Sequence, residues 1–208
     1  MTELRVARTE LILGGQRSGK SRRAEALAQC WLTESPLHRA VLIATAQSWD
    51  DEMRERIAQH QQDRPARVPG MRTVEEPLAL GDALVQLSDP QTLVVVDCLT
   101  LWLTNLLMPH EPAKELPGNA ESSFEYESNR PLALNSSAQA AMLLIAIKQA
   151  SGPVVLVGNE IGLGVIPLGC ETRAFVDALG RLNQDVAAVC ERVTFMAAGL
   201  PLRLKGAP

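Results

Sequence analysis

The sequence predicts an α/β protein with a doubly wound, mainly parallel sheet and helices on both faces. Three observations predict it. Short apolar runs alternate with longer amphipathic ones along all 208 residues. The short runs are continuously apolar, as strands covered on both faces are. The first of them, Leu11-Ile12-Leu13, leads directly into Gly14-Gly15-Gln16-Arg17-Ser18-Gly19-Lys20-Ser21, a G-x-x-x-x-G-K-S phosphate-binding loop with a helix-like run behind it.

Glu10 to Gly14 reads as the first strand and Arg22 to Leu32 as the first helix, with Ala24, Leu27, Ala28 and Trp31 at helical spacing. Ala40 to Ala44 is a buried strand. Trp49 to Gln62 is a charged surface helix, with Asp50 as a cap near its start. Arg64 to Gly70 holds two prolines and a glycine and reads as loop, with a short strand at Thr73-Val74. Pro77 to Leu87 is a helix with proline in its first turn. Thr92 to Val96 is the clearest buried strand, closed by Asp97, and Leu99 to Met108 is helical. Pro109 to Asn129 sets five glutamates against Lys114 among Pro, Gly, Asn and Ser, the composition of a surface loop. Ala133 to Ala150 is a helix with Asn135 or Ser136 as its cap. Pro153 to Gly158 is a strand, Glu160 to Gly169 a glycine-rich loop and Glu171 to Cys190 a long helix. Two strands, Arg192 to Ala197 and Leu200 to Leu204, flank Gly199. No repeat divides the chain, and one domain over residues 1–208 is expected.

A net charge of −4 supplies no global field for nucleic acid or an anionic membrane. No apolar run approaches the ~20 residues of a membrane span, and Met1 to Glu10 lacks the apolar centre of a signal peptide. The four cysteines, Cys30, Cys98, Cys170 and Cys190, show no metal-ligand spacing and fit a reduced, cytoplasmic setting.

The chemistry begins at the glycine-rich loop. Its glycines let backbone N–H groups converge on one point, and the helix behind it adds positive partial charge there. Gly14, Gly15, Gln16, Arg17, Ser18 and Gly19 would cradle a nucleoside triphosphate. Lys20 would reach the β- and γ-phosphates, and the Ser21 hydroxyl would hold Mg²⁺. Asp97 closes a central strand, where such proteins hold the metal; capping the Leu99 helix is its competing role. His60 follows Arg56 by one helical turn and precedes Arg64. Guanidinium neighbours suit a phosphate and keep an imidazole neutral and nucleophilic. From spacing alone, a solvated histidine on a polar helix is the simpler reading of His60. The loop at Glu160 could reach the ligand edge of the sheet or serve as a plain connection. Arg173, Asp177 and Arg181 sit four apart on one helix face, where a surface salt-bridge ladder is the simpler reading.

Several segments, in order along nearly the whole chain, resemble one family. They are the phosphate loop; Ile43-Ala44-Thr45-Ala46; Asp51-Glu52-Met53 with Arg56-Ile57 and His60; Arg64-Pro65; and Thr73-Val74-Glu75-Glu76-Pro77. Further on come Val96-Asp97-Cys98-Leu99-Thr100-Leu101-Trp102, Asn105-Leu106-Leu107, the run from Asn159 to Pro167, and Arg173-x-Phe175-x-Asp177 with Gly180, Asn183 and Gln184. The chain is thereby similar to the bifunctional adenosylcobinamide kinase/adenosylcobinamide-phosphate guanylyltransferases of cobalamin assembly. Val176 stands where that family often has a second arginine, and Pro69-Gly70-Met71 looks like a small insertion.

The resemblance implies a RecA-like domain in a homotrimer that uses ATP, GTP and Mg²⁺ and acts on a corrinoid, adenosylcobinamide and its phosphate. It makes His60 the residue that carries GMP covalently, which reverses the reading from spacing. It also places Thr45, Ala46, Gln47, Gln61, Gln62, Asp63, Arg64, Glu75 and Asp97 at the nucleotide site. For the kinase step no general base stands out; Asp97 is a candidate unless the metal claims it. A plain small-molecule kinase and a nucleotide-dependent regulatory module are the rival readings.

Overall fold

The computed structural model describes residues 4–47, 55, 66–108 and 130–206. The expected Trp49 to Gln62 helix and Pro109 to Asn129 loop lie outside the described residues almost entirely. The elements are β1 (Thr9–Gly14), α1 (Lys20–Glu34), β2 (Arg39–Ala44), β3 (Met71–Glu75), α2 (Leu80–Leu87) and β4 (Thr92–Asp97), followed by α3 (Leu99–Leu107), α4 (Arg130–Gln149), β5 (Val154–Val157), α5 (Cys170–Val189), β6 (Arg192–Ala197) and β7 (Leu200–Lys205).

One seven-stranded sheet has the order β3-β2-β4-β5-β1-β6-β7. Every pairing is parallel except β6 with β7, a hairpin that turns through Ala198 and Gly199. The apolar strands are continuous because both faces are covered. Leu11, Val94, Val96, Leu156 and Trp102 belong to the core beneath α2 to α5. Ile12, Leu42, Val95, Val155 and Val157 form a second cluster beneath α1. The doubly wound, mainly parallel expectation therefore holds.

Three local expectations are corrected. Ala66 and Arg67 are helical rather than loop; Arg67 pairs with Glu25 at 3.3 Å and Val68 is buried in the cluster under α1, which anchors the segment. Pro77 is not in the first turn of α2, which starts at Leu80. The Glu76 carboxylate accepts from the backbone N–H groups of Leu78 and Ala79, making a turn that delays the helix. Helix α4 begins at Arg130, so Asn135 and Ser136 lie within it and neither is its cap.

Candidate active site

Strand β1 is buried at every position and ends at Gly14, and α1 starts at Lys20. The five residues between them must reverse direction in little space. A Cβ on Gly14 would lie 2.5 Å from the Met196 carbonyl oxygen and 2.7 Å from Ser18 Oγ, so no other residue fits. Gly19 caps α1 with φ at 99°, in the left-handed region. Neighbouring elements brace the turn: the N–H of Gly199 donates to the Ser18 carbonyl at 3.1 Å, and that of Glu160 to the Gly14 carbonyl at 3.2 Å. Gly15, Gln16 and Arg17 stay exposed at its mouth.

Lys20 folds back into this turn. Its ammonium donates to the Gly15 carbonyl at 2.6 Å and to Ser18 Oγ at 3.5 Å. Burial lowers its pKa, and Cys98 and Asp97 pull the other way. Lys20 and Asp97 are thus close enough to interact although β5 separates their strands, a lateral step of ~10 Å between β1 and β4. One strand thus lies between the phosphate-loop strand and the acidic one.

The competing role of Asp97, capping α3, is taken by Cys98, whose Sγ accepts from the Leu101 N–H at 3.5 Å. Burial, with help from the Asp97 charge, pushes the Cys98 thiol up to about 12, so it is neutral at physiological pH. Among the described residues no group of three His, Cys, Asp or Glu could hold a metal alone. A single carboxylate and a hydroxyl still suit Mg²⁺, which keeps waters and takes its other ligands from substrate phosphates. Asp97 and Ser21 fit that pattern.

Thr45, Glu75 and Asp97 share one edge of the sheet, because Ala44 lies in register with both Glu75 and Asp97. Their jobs differ. Thr45 is fully buried: its hydroxyl donates to the Cys98 carbonyl at 2.7 Å and accepts from the Cys98 N–H at 2.8 Å. Asn105 Nδ2 holds the Thr45 carbonyl at 2.8 Å. Thr45 therefore locks the end of β2 to the β4–α3 junction, and the half-buried Ala46 and Gln47 follow it at the edge. Glu75 is exposed on edge strand β3, four strands from β1 and ~19 Å away laterally. That separation suits the far end of a nucleotide or a second substrate better than the phosphates. His60 and Gln61, Gln62, Asp63 and Arg64 lie outside the described residues.

The loop after β5 does reach this edge. It lines a cleft of about 910 Å³ with α5 and the start of β6. Its apolar residues are open to solvent, Val165 at 95% and Leu168 at 98% exposed. Asn183 Nδ2 donates to the Asn159 carbonyl at 3.0 Å and reaches Glu160 Oε2 at 3.5 Å. Asn159 in turn donates its N–H to Thr100 Oγ1 at 2.8 Å. The expected salt-bridge ladder on α5 is absent among the described residues. Arg173 turns back instead and donates to the carbonyls of Pro167 and Leu168, pinning the end of the loop to the helix. The braces from Gly199 and Thr100 were missed from sequence because such contacts between distant segments leave no local signal.

With this geometry established, comparison with known proteins decides the family. The CobU family, described as cobinamide kinase / cobinamide phosphate guanyltransferase, matches residues 10–204. This chain belongs to that family. The bifunctional adenosylcobalamin biosynthesis protein CobP of Pseudomonas aeruginosa is 47% identical over 199 residues, covering 96% of this chain and 98% of that protein. The bifunctional adenosylcobalamin biosynthesis protein CobU of Escherichia coli is 35% identical over 195 residues, 94% of this chain and 98% of that one. Among solved structures, the flagellar accessory protein FlaH of Methanocaldococcus jannaschii superposes with a TM-score of 0.49 at 11% identity, over 97% of this chain and 79% of that one. The family match spans both the phosphate loop and the 160–167 loop, so the elements around the cleft belong to one shared framework.

Proposed function

We propose that this protein phosphorylates adenosylcobinamide with ATP or GTP, and then transfers GMP from GTP to adenosylcobinamide phosphate in cobalamin biosynthesis. The observation that carries the proposal is Lys20, folded into a phosphate loop beside Asp97, in a chain matched by this family over residues 10–204. In the kinase step the substrate hydroxyl oxygen bonds to the γ-phosphorus. The bond to the bridging oxygen breaks, the nucleoside diphosphate leaves and the hydroxyl proton passes to solvent. Lys20 and the backbone N–H groups of the loop neutralise the charge on the transferring group. Bound Mg²⁺, held by Ser21 and Asp97, would supply further charge neutralisation.

In the second reaction a ring nitrogen of His60 bonds to the α-phosphorus of GTP and pyrophosphate leaves. A phosphate oxygen of adenosylcobinamide phosphate then bonds to the same phosphorus, the P–N bond breaks and the imidazole is released. Two displacements replace one difficult attack of anion on anion. Gln61, Gln62, Asp63 and Arg64 accompany His60 at the nucleotide. The corrinoid would lie against the 160–167 loop, whose apolar side chains offer contact for a broad ring and whose carbonyls and amides suit its polar fringe.

Incubation with α-labelled GTP tests the covalent route. Wild-type protein should retain acid-labile label and His60→Ala none, with transfer activity lost. Full transfer by His60→Ala would overturn it. The family resemblance also leads us to propose a homotrimer, supported by the exposed Leu200 and Leu202 on β7, 71% and 58% open. A monomeric mass in sedimentation equilibrium would refute it. We place the protein in the cytoplasm, as four cysteines with no disulfide among the described residues suggest; recovery in a membrane or secreted fraction would contradict this.

A further inference from the structure

The cluster around Glu10 has no part in the chemistry above. Glu10 is fully buried in the middle of the sheet, and its carboxylate accepts from Arg23, Arg192 and Thr194 at 3.3, 3.2 and 2.7 Å. One carboxylate thus fixes two guanidinium groups whose side chains are only 12% and 13% exposed. Burying two cations against one anion leaves a positive excess in a wall of low dielectric, and such an excess favours a further anion.

These guanidinium groups open onto a cleft of about 470 Å³ at the start of β6 and the end of β7. Arg5 and Arg203 line the same cleft, as does Lys205, whose ammonium is already held by the Ala187 and Ala188 carbonyls of α5. No acidic side chain lines it among the described residues. The concentration of positive charge is notable in a chain whose net charge is −4. Planar guanidinium forks held in place by a buried partner match phosphate oxygens in geometry as well as charge. None of residues 14–21 lines the cleft. From Glu10 the phosphate loop begins four residues along β1, ~13 Å away.

We propose that this cleft is a second phosphate-binding site, for a small oligophosphate anion of the pyrophosphate or nucleoside diphosphate class, separate from the phosphate loop. Its volume admits such an anion and is too small for a folded nucleic acid.

Calorimetric titration of inorganic pyrophosphate into the full-length protein tests it. Wild-type protein should show two classes of site. Lys20→Ala should keep one of them. Arg5→Gln with Arg203→Gln should weaken that class at least 10-fold while GTP affinity at the phosphate loop stays unchanged. Arg5→Gln alone, on an exposed side chain, should give a smaller loss and guards against a folding defect in the pair. Titrating GDP into Lys20→Ala then distinguishes free diphosphate from a diphosphate carrying a nucleoside; binding of either supports the site. The proposal fails if Lys20→Ala abolishes all binding of both anions, or if the arginine variants bind pyrophosphate as wild type does.

Discussion

Lys20 and Glu10 are buried charged groups in one strand-to-helix unit, and the fold treats them in opposite ways. Glu10 is surrounded by charge-assisted donors, two arginines and a threonine hydroxyl. The Lys20 ammonium hydrogen-bonds to neutral groups, a backbone carbonyl and the Ser18 hydroxyl, and burial outweighs the Asp97 charge and lowers its pKa. A group with all its partners in place contributes to folding. A cation left short of a counter-charge contributes to binding, because an arriving phosphate supplies what the fold withheld. On the proposed function, the difference explains how one β1–α1 unit can be both a structural anchor and a ligand site.

The strongest way to break this contrast is Glu10→Ala. It strands two buried guanidinium groups and should cost about 3–5 kcal/mol of stability, measured by urea denaturation. A loss below ~1 kcal/mol would mean that water already compensates the arginines. Lys20→Met should do the reverse. Triphosphate affinity should fall on the order of 100-fold in a calorimetric titration, since truncating one partner of a buried charge pair costs about 2–5 kcal/mol. Stability without ligand should stay unchanged or rise, and a marked loss would refute the view that Lys20 is held for its ligand.

The pH dependence sharpens the same point. The folded-state pKa of Lys20 lies below its ordinary value of 10.5, so the unfolded chain keeps the proton to higher pH. Stability of the free protein should therefore gain a contribution from Lys20 as pH rises through the lowered value toward 10.5. Triphosphate affinity should fall over the same rise, with proton uptake on binding, because phosphate favours the charged amine. Affinity that rises there would reverse the assignment. The smallest effect belongs to the half-exposed pair of Arg67 with Glu25, where the arginine side chain is 44% open. Arg67→Ala should cost no more than ~1 kcal/mol, and a loss like that of Glu10→Ala would erase the distinction between a pair with a half-exposed arginine and one buried on both sides.

Much of the nucleotide end was legible in the chain because its signals are local. Gly19 is required by the left-handed backbone of the turn, and Asp97 is marked by its place at the end of an apolar run; Gly14 is legible through the loop pattern, although its tightest constraint is the distant Met196 carbonyl. Pro77 shows the limit of that reading. Proline suits a first helical turn, yet the Glu76 side chain captures the next two N–H groups and shifts the start of α2. Position along the chain likewise makes Asp97 a competing candidate for the cap of α3, and the fold gives that role to Cys98.

By itself, then, the sequence determined the alternation of elements, the phosphate loop with its lysine, and the ordered motifs that mark the family. These depend on periodicity, glycine placement and short spacings, which survive in one dimension. Only the tertiary structure decided the strand order that inserts β5 between β1 and β4, the use of Thr45 as a lock, the braces from Gly199 and Glu160, and the gathering of Arg5, Arg23, Arg192 and Arg203 at one cleft. Those arginines are up to 198 positions apart in the chain. Strand pairing and the packing of α1 bring them together, and no local pattern of residues encodes which strands will pair.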